Sequence, residues 1–335
     1  MDAAGEGKMS VEDILRVTQG FMESRILLSA AELDLFTILS WSPLNADETA
    51  NRAGADVRAL TFLLDALVGM GFLVKEDQTY RCQDIVSGLL AKAAAGSILP
   101  MLLHVNSLWE RWSCLTDVVR RGAAPELRYE FEQNEEELRA FIGAMHAVGS
   151  RLATSIVSMV RPGAARSLMD VGGGLGSYTI AFLQAVPGMR ATLFDLPPVV
   201  QLAREHLDRE GLLDRVNLVG GDFHEQELPP GHDLALISAV IHSNSPEQNF
   251  DLYGKVFRSL DRGGRILIRD HVMQPDRAHP KEGAIFAINM LVGTEGGGTY
   301  TYEEIEADLT KAGFIRVRLL NRGEHMDGIV EAFKP

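Results

Sequence analysis

Two cysteines, Cys82 and Cys114, are all that a chain of 335 residues carries. That excludes a disulfide framework and suits ordinary reduced thiols in a cytoplasmic protein. Basic residues are also scarce: 32 Lys and Arg stand against 46 Asp and Glu, a formal charge of −14. Nucleic-acid binding draws most of its affinity from cations against phosphate, so a nucleic-acid partner is not expected. Long apolar runs are missing too, and stretches such as Ile98 to Val105 fall far short of a membrane span, so no membrane association is expected. The opening Met1-Asp2-Ala3-Ala4-Gly5-Glu6 has no basic region followed by an apolar stretch, which argues against a secretory signal. The chain does have bulk. With 46% hydrophobic residues it has ample core, and its length suggests two domains or one large domain with an appendage.

The most informative segment is Asp170-Val171-Gly172-Gly173-Gly174-Leu175-Gly176. It follows a short apolar run, Ser167 to Met169, and opens into a helix-like stretch, Ser177 to Ala185, the pattern of a nucleotide-binding strand-turn-helix. Glycines suit such a loop because the chain turns tightly and a ligand must approach bare backbone at a helix N-terminus. Gly172 and Gly174 fit a dinucleotide fingerprint, but the sixth place is Ser177. Asp170 at the mouth of the loop is an awkward neighbour for pyrophosphate and a good one for an amine or sulfonium. Downstream, Ala191 to Asp195 reads as a second strand ending in an acid, about 20 residues on, the usual interval for gripping ribose hydroxyls. Val216 to Val219 leads to Gly220-Gly221-Asp222-Phe223, where a carboxylate and an aromatic ring suit an adenine. Three acidic strand ends in succession point to S-adenosylmethionine. The plainer alternative is a simple strand-helix turn, with Asp195 a helix cap and Phe223 a core ring.

Ahead of this region, Val11 to Leu39 carries apolar positions at helical spacing. Asp47 to Ala53, the turn at Gly54, the helix Val57 to Met70 with Gly71 as C-cap, and a hairpin from Phe72 to Cys82 form a winged-helix pattern. Its would-be recognition helix offers Leu60, Phe62, Leu63, Leu64, Leu67 and Val68, with only Arg58 for a phosphate. Subunit dimerisation is therefore preferred over DNA readout, and a metabolite-sensing regulator is the rival reading. The expected division is 1–95 as a winged-helix dimerisation domain, 96–160 as a helical connector that could roof a pocket, and 161–335 as the cofactor-binding domain. Within the connector, Trp109 and Trp112 read as core, and the acidic run Glu132 to Glu137 as a solvated face.

From Arg166 onward strands and helices alternate as a parallel α/β unit demands. Ligands in such sheets sit beyond the carboxyl ends of the strands. His242 follows the strand Leu234 to Ala239 and could take a proton from a hydroxyl if its other ring nitrogen is held. Asp270, at the end of the next strand, could hold it. Alternatively, His242 is a helix-entry histidine bonded to backbone. His271 and His279 raise a metal site with His242 and Asp270, but no structural zinc spacing is present, and no metal is expected.

On these residues the chain resembles the bacterial and plant small-molecule O-methyltransferases with an N-terminal winged-helix dimerisation domain. The specific stretches are Leu168 to Gly176, Phe194-Asp195-Leu196-Pro197, Gly221-Asp222-Phe223, Ser238 to His242, and Gly264 to Asp270. The resemblance implies a Rossmann-like, doubly wound, mostly parallel sheet after a helical N-terminal domain, and a homodimer formed through that domain. It implies S-adenosylmethionine held by Asp170, Gly172, Gly174, Asp195, Leu196, Asp222, Phe223 and Ser238. His242 would be the general base with Asp270 its acidic partner. Met145 and Met290 would clamp a small aromatic acceptor; apart from the resemblance, an apolar acceptor pocket with few polar anchors is expected to include Met145, Asn289 and Met290. Many relatives follow the histidine with aspartate and tryptophan, where this chain has Ser243 and Asn244. Others carry a glutamate just after the glycine cluster, where this chain has Thr299, and Ser238 stands where a lysine is common. A cofactor-binding relative with altered chemistry, including carbon or nitrogen methylation, or with lost activity, is the alternative.

Overall fold

The computed structural model describes residues 9–122 and 135–335, with side chains from 138 onward in the second stretch. The acidic run Glu132 to Glu137 lies outside the described side chains. The chain divides into two compact units, Met1–Leu108 and Trp109–Pro335.

The first unit starts with α1 (Val11–Glu32), opened by a capping box. The Ser10 hydroxyl accepts from the Asp13 N–H, and Asp13 accepts from the Ser10 N–H. Then come α2 (Leu35–Ile38), β1 (Leu44–Asn45), α3 (Ala46–Ala53), α4 (Val57–Gly69), β2 (Leu73–Glu76), β3 (Thr79–Cys82), α5 (Asp84–Leu90) and α6 (Leu99–Ser107). The expected helix-turn-helix-hairpin is there, its three short strands in the order β1-β3-β2. Leu60, Leu64 and Leu67 of α4 close over Leu35, Phe36, Leu39 and Tyr80. Burial pushes the Cys82 thiol up to about 11, which leaves it unreactive. One face of α1 is bare: Val11, Ile14, Leu15, Val17, Phe21 and Met22 are all exposed. An apolar stripe of that size on one helix marks a surface made to be covered.

The second unit holds α7 (Trp109–Ser113), α8 (Leu115–Arg121) and α9 (Glu135–Val160), then β4 (Ser167–Val171), α10 (Ser177–Ala185), β5 (Arg190–Asp195), α11 (Pro197–Arg209), β6 (Val216–Gly220), β7 (His232–Ser238), α12 (Pro246–Ser259), β8 (Leu260–Asp270), β9 (Val272–Met273), α13 (Lys281–Gly293), β10 (Tyr300–Thr301), α14 (Tyr302–Lys311), β11 (Ile315–Asn321) and β12 (Gly328–Phe333). Seven strands form one sheet in the order β11-β12-β8-β7-β4-β5-β6. Strands β4 to β8 run parallel, and β12 lies antiparallel to both neighbours. Helices α9 and α10 bury Ile156, Val157, Tyr178 and Phe182 on one face of the sheet. Helices α12 and α14 bury Leu252, Val256, Ile305 and Leu309 on the other.

Strand β8 begins at Leu260, and its Gly263-Gly264 turn pairs with Lys334: Gly263 donates to the Lys334 carbonyl and Lys334 to that of Gly264. One expectation needs correction. Residues Leu138–Val160 of α9 are, by length and composition, long and apolar enough to cross a membrane. No uninterrupted apolar run betrays this in the sequence, because Arg139, His146 and Arg151 punctuate the helix. In the structure Ala153, Ile156, Val157 and Val160 of this helix join the sheet-side core.

Candidate functional site

The strand order reverses between β4 and β7, since the chain winds outward first through β5 and β6 and then returns through β7 to β8. Such a reversal opens a crevice at the carboxyl ends of the strands. The glycine loop rises there from β4. Gly172 has φ +68, and a Cβ on it would meet Val240 Cγ2 at 2.7 Å, so only glycine lets this loop lie against the segment that leads to His242. Gly174 donates its N–H to Asp195 Oδ2 at 2.8 Å, and Leu196 donates to Asp195 Oδ1 at 2.7 Å. Each oxygen of Asp195 is thereby pinned by backbone, with lone pairs left over for a vicinal diol. Burial, against those two bonds, pushes the carboxyl up to about 6.

Asp170 is not at an open mouth: it is 2% exposed, and its Oδ2 accepts the Thr179 hydroxyl at 2.6 Å. Burial raises it to about 6 as well, with the negative charge of Asp195 adding to the effect. Asp222 stands after β6 and accepts the N–H of His224 at 2.7 Å. Phe223 lies beside it, its ring 4.5 Å from that of His224. A residue that sequence reasoning missed supports this corner. Lys255 of α12 is buried and donates to the carbonyls of Phe223 at 2.6 Å and His224 at 3.0 Å, while pairing with Asp251. Its signal was legible as a lysine between Leu252 and Val256, on the inward face of an amphipathic helix. Ser238, at the end of β7, accepts from Arg269 at 3.3 Å; Arg269 is buried, and its Nε has no hydrogen-bond partner among the described residues. Leu196 is exposed beside Asp195. The chemistry of this donor set, three acids around a bare glycine loop, suits a cationic nucleoside without phosphate.

His242 sits in a 3-10 turn, Ile241–Ser243, just past β7. Ala239 before it has φ +56, a left-handed conformation unusual for a residue with a Cβ, and its N–H is tied to the Arg269 carbonyl at 2.8 Å. The turn is clamped on several sides. Asn249 donates to the Ile241 carbonyl at 2.9 Å, Gly298 donates to that of His242 at 2.8 Å, and the Tyr300 hydroxyl donates to that of Asn244. Asn244 is buried and bonded to Asn249, while Ser243 is exposed. In the cluster Gly296-Gly297-Gly298 the middle residue must be glycine for this clamp, since a Cβ on Gly297 would collide with the His242 carbonyl.

The ring of His242 faces Asp270, with Nδ1 2.9 Å from Oδ2 and 3.0 Å from Oδ1. Burial would raise the Asp270 carboxyl, but the His242 ring, the His271 N–H and Arg269 outweigh it, and the group is held below the usual carboxylate range. An ionised carboxylate only accepts, so Nδ1 carries a proton, and in the neutral form of the ring the lone pair lies on Nε2. The pair expected from strand-end positions is thus assembled. Phe286 of α13, not among the expected residues, meets the His242 ring edge-on at 4.9 Å. Met290 is buried one turn further along α13, and Asn289 accepts from the Trp112 indole at 2.9 Å, so this tryptophan has a polar partner as well as core neighbours. Met145 is exposed on α9. Thr299 is buried, with its carbonyl taken by Arg277. His279 is exposed and bonded to Asp276. Among the described residues no three His, Cys, Asp or Glu side chains are grouped to hold a metal ion.

A class follows from this arrangement: an α/β protein with a glycine loop and acidic strand ends at the reversal point of its sheet, and a histidine–aspartate pair at the next strand ends. The chain belongs to the O-methyltransferase family. Residues 114–315 match the O-methyltransferase domain and residues 15–92 the O-methyltransferase dimerisation domain. It is 33% identical over 91% of its length to the tetracenomycin polyketide synthesis 8-O-methyl transferase TcmO of Streptomyces glaucescens, covering 92% of that protein. To the 3-hydroxy-5-methyl-1-naphthoate 3-O-methyltransferase of Streptomyces sahachiroi it is 30% identical, over 89% of this chain and 88% of that one. Human N-acetylserotonin methyltransferase in complex with S-adenosylmethionine superposes with a TM-score of 0.83 at 25% identity, over 100% of this chain and 99% of that one. The protein is an S-adenosylmethionine-dependent O-methyltransferase of small molecules.

Proposed function

We propose that the acceptor is a hydroxylated aromatic molecule and that His242 is the general base at its reacting hydroxyl. The observation that carries this is the His242–Asp270 pair, whose geometry leaves Nε2 as a free lone pair on a ring locked in place. S-adenosylmethionine, when bound, supplies an electrophilic methyl group with a good leaving group already attached. The remaining task is alignment and proton removal. Asp195 would hold the ribose diol, Asp222 would accept from the adenine amino group, and Phe223 would pack on the base. Leu196 would add apolar contact and Gly172 and Gly174 would offer bare backbone, while Asp170, buried beneath Thr179, would act on the cationic end through its charge alone. Ser238, steadied by Arg269, completes the cofactor side. His242 Nε2 takes the hydroxyl proton as the oxygen attacks, and Asp270 stabilises the imidazolium that forms.

Phe286 and Met290 supply flat and polarisable apolar walls suited to an aromatic ring, with Met145, Asn289 and the Trp112 that engages it as further lining. The Streptomyces sahachiroi relative is named for a hydroxylated naphthoate, which supports the same acceptor class. The bare face of α1 supports a homodimer formed through residues 1–95, with 96–160 as connector and 161–335 as the cofactor-binding part. The test is methyl transfer from labelled S-adenosylmethionine to matched panels of hydroxylated aromatic and aliphatic molecules. Label on the oxygen of aromatic members supports the reading. Label confined to aliphatic members, or found on carbon or nitrogen, overturns it.

A further inference from the structure

Beside His242 and Asp270 stands a second buried imidazole that the reaction so far leaves idle. His271 follows the end of β8 and is 6% exposed. Its backbone N–H donates to Asp270 Oδ1 at 2.8 Å, so one carboxylate fixes both the ring of His242 and the backbone of His271. The His271 ring leans on Phe286 with centroids 5.0 Å apart, and His242 meets the same ring at 4.9 Å. Two imidazoles therefore flank one phenyl group.

Their nitrogens differ in state. His271 Nδ1 is buried with no hydrogen-bond partner among the described residues, whereas Nε2 is not sealed in that way. A neutral imidazole has one proton for two nitrogens. An orphaned buried N–H is rarer in proteins than an under-satisfied acceptor, so the proton belongs on Nε2 and the bare lone pair on Nδ1. Burial, only partly countered by Asp270, keeps the ring below the usual histidine range and hence neutral near neutrality. His271 is thus a fixed donor, one residue from the group that orients the base, with nothing among the described residues to receive its Nε2–H.

We propose that His271 is a second acceptor-recognising residue: its Nε2–H donates to an oxygen adjacent to the one His242 deprotonates, so the site selects aromatic acceptors bearing two neighbouring oxygens. This rests on His242 acting at an aromatic hydroxyl. The selectivity has a physical source. An acceptor that lacks the second oxygen leaves the Nε2–H against carbon, and a site built around a polar group rejects a ligand that cannot pair it.

The experiment compares kcat/KM for 2-naphthol and 2,3-dihydroxynaphthalene in the wild type, His271→Leu and His271→Gln. The wild type should favour the dihydroxy acceptor by about tenfold, the size of one such hydrogen bond. His271→Leu should reduce that preference to the statistical advantage of a second hydroxyl. His271→Gln, whose side-chain amide reaches a similar position, should restore part of it. S-adenosylhomocysteine affinity reports whether the variants keep the cofactor site. An unchanged preference in His271→Leu, or an equal loss on both acceptors, overturns this proposal while leaving His242 as base. Failure of the wild type to methylate either naphthol, with aliphatic alcohols accepted, overturns the aromatic reading and this one with it.

Discussion

Replacing Asp270 with Asn keeps the size of the side chain and removes its charge. Three donor contacts converge on the carboxylate: His242 Nδ1 at 2.9 and 3.0 Å, and the His271 N–H at 2.8 Å. The amide of Asn offers one oxygen and one NH2 group, and the His271 N–H, fixed in the backbone, claims the oxygen. The NH2 then confronts Nδ1 of His242, and the ring relieves the conflict by accepting there and carrying its proton on Nε2. That is the atom meant to receive the acceptor's proton, so the base is lost while the fold stays. General-base catalysis contributes about 10²–10⁴-fold, and a carboxylate-to-amide change behind the catalytic histidine of a serine protease costs about 10⁴. For Asp270→Asn kcat near neutrality should therefore fall by about 10²–10⁴. The assay is kcat against pH with a phenolic acceptor, alongside S-adenosylhomocysteine affinity. Because a free phenol ionises near pH ~10, the variant's rate should climb about tenfold per pH unit toward that value. A fall of less than about tenfold near neutrality, or no recovery at high pH, refutes the tautomer argument.

Three further outcomes follow from the same geometry. Asp195 and Asp170 sit at about 6 in the fold, and Asp195 accepts ribose hydroxyls best when ionised, so S-adenosylhomocysteine affinity should weaken as pH falls below about 6. The linked stability runs the other way. Both folded values lie above the unfolded value of about 3.9, so the ligand-free protein loses their contribution as pH rises from about 4 to 6, and no more above it. Calorimetric titration and urea unfolding across that window check the pair of trends, and an affinity that is flat with pH contradicts the first. Lys255→Met leaves the Phe223 and His224 carbonyls without their buried donor, so stability should drop by about 1–3 kcal/mol and S-adenosylhomocysteine should bind more weakly. Unaltered urea unfolding and affinity would deny Lys255 its supporting role. Glu at both Ile14 and Phe21 charges the bare face of α1, and sedimentation should then report a monomer in place of a dimer. A dimer unaffected by both charges would move the subunit interface elsewhere.

Much of this was readable before the structure because local chemistry wrote it. Ser245-Pro246-Glu247-Gln248 and Thr301 to Glu304 spell capping boxes, and both helices start where they say. The strand-end positions of the glycine loop, Asp195, Asp222 and His242 were legible because parallel strands deliver their ends to one edge, a rule that needs only the order of elements. What escaped depended on packing between distant segments. Phe286 reads as one more apolar residue on α13 until that helix is laid across His242. The donor role of His271 depends on which of its nitrogens is sealed, and no spacing records that. Asp170 was expected at an open mouth, yet Thr179, two residues into α10, folds back over it.

The central claim is that His242, locked by Asp270, removes the proton from an acceptor hydroxyl. The most direct test is single-turnover transfer of labelled methyl from S-adenosylmethionine to the oxygen of 2-naphthol, comparing wild type with His242→Ala and measuring S-adenosylhomocysteine affinity for both. The account predicts label on oxygen in the wild type, a rate at least about 100-fold slower in His242→Ala, and equal affinities. A His242→Ala enzyme that transfers the methyl at the wild-type rate would contradict it.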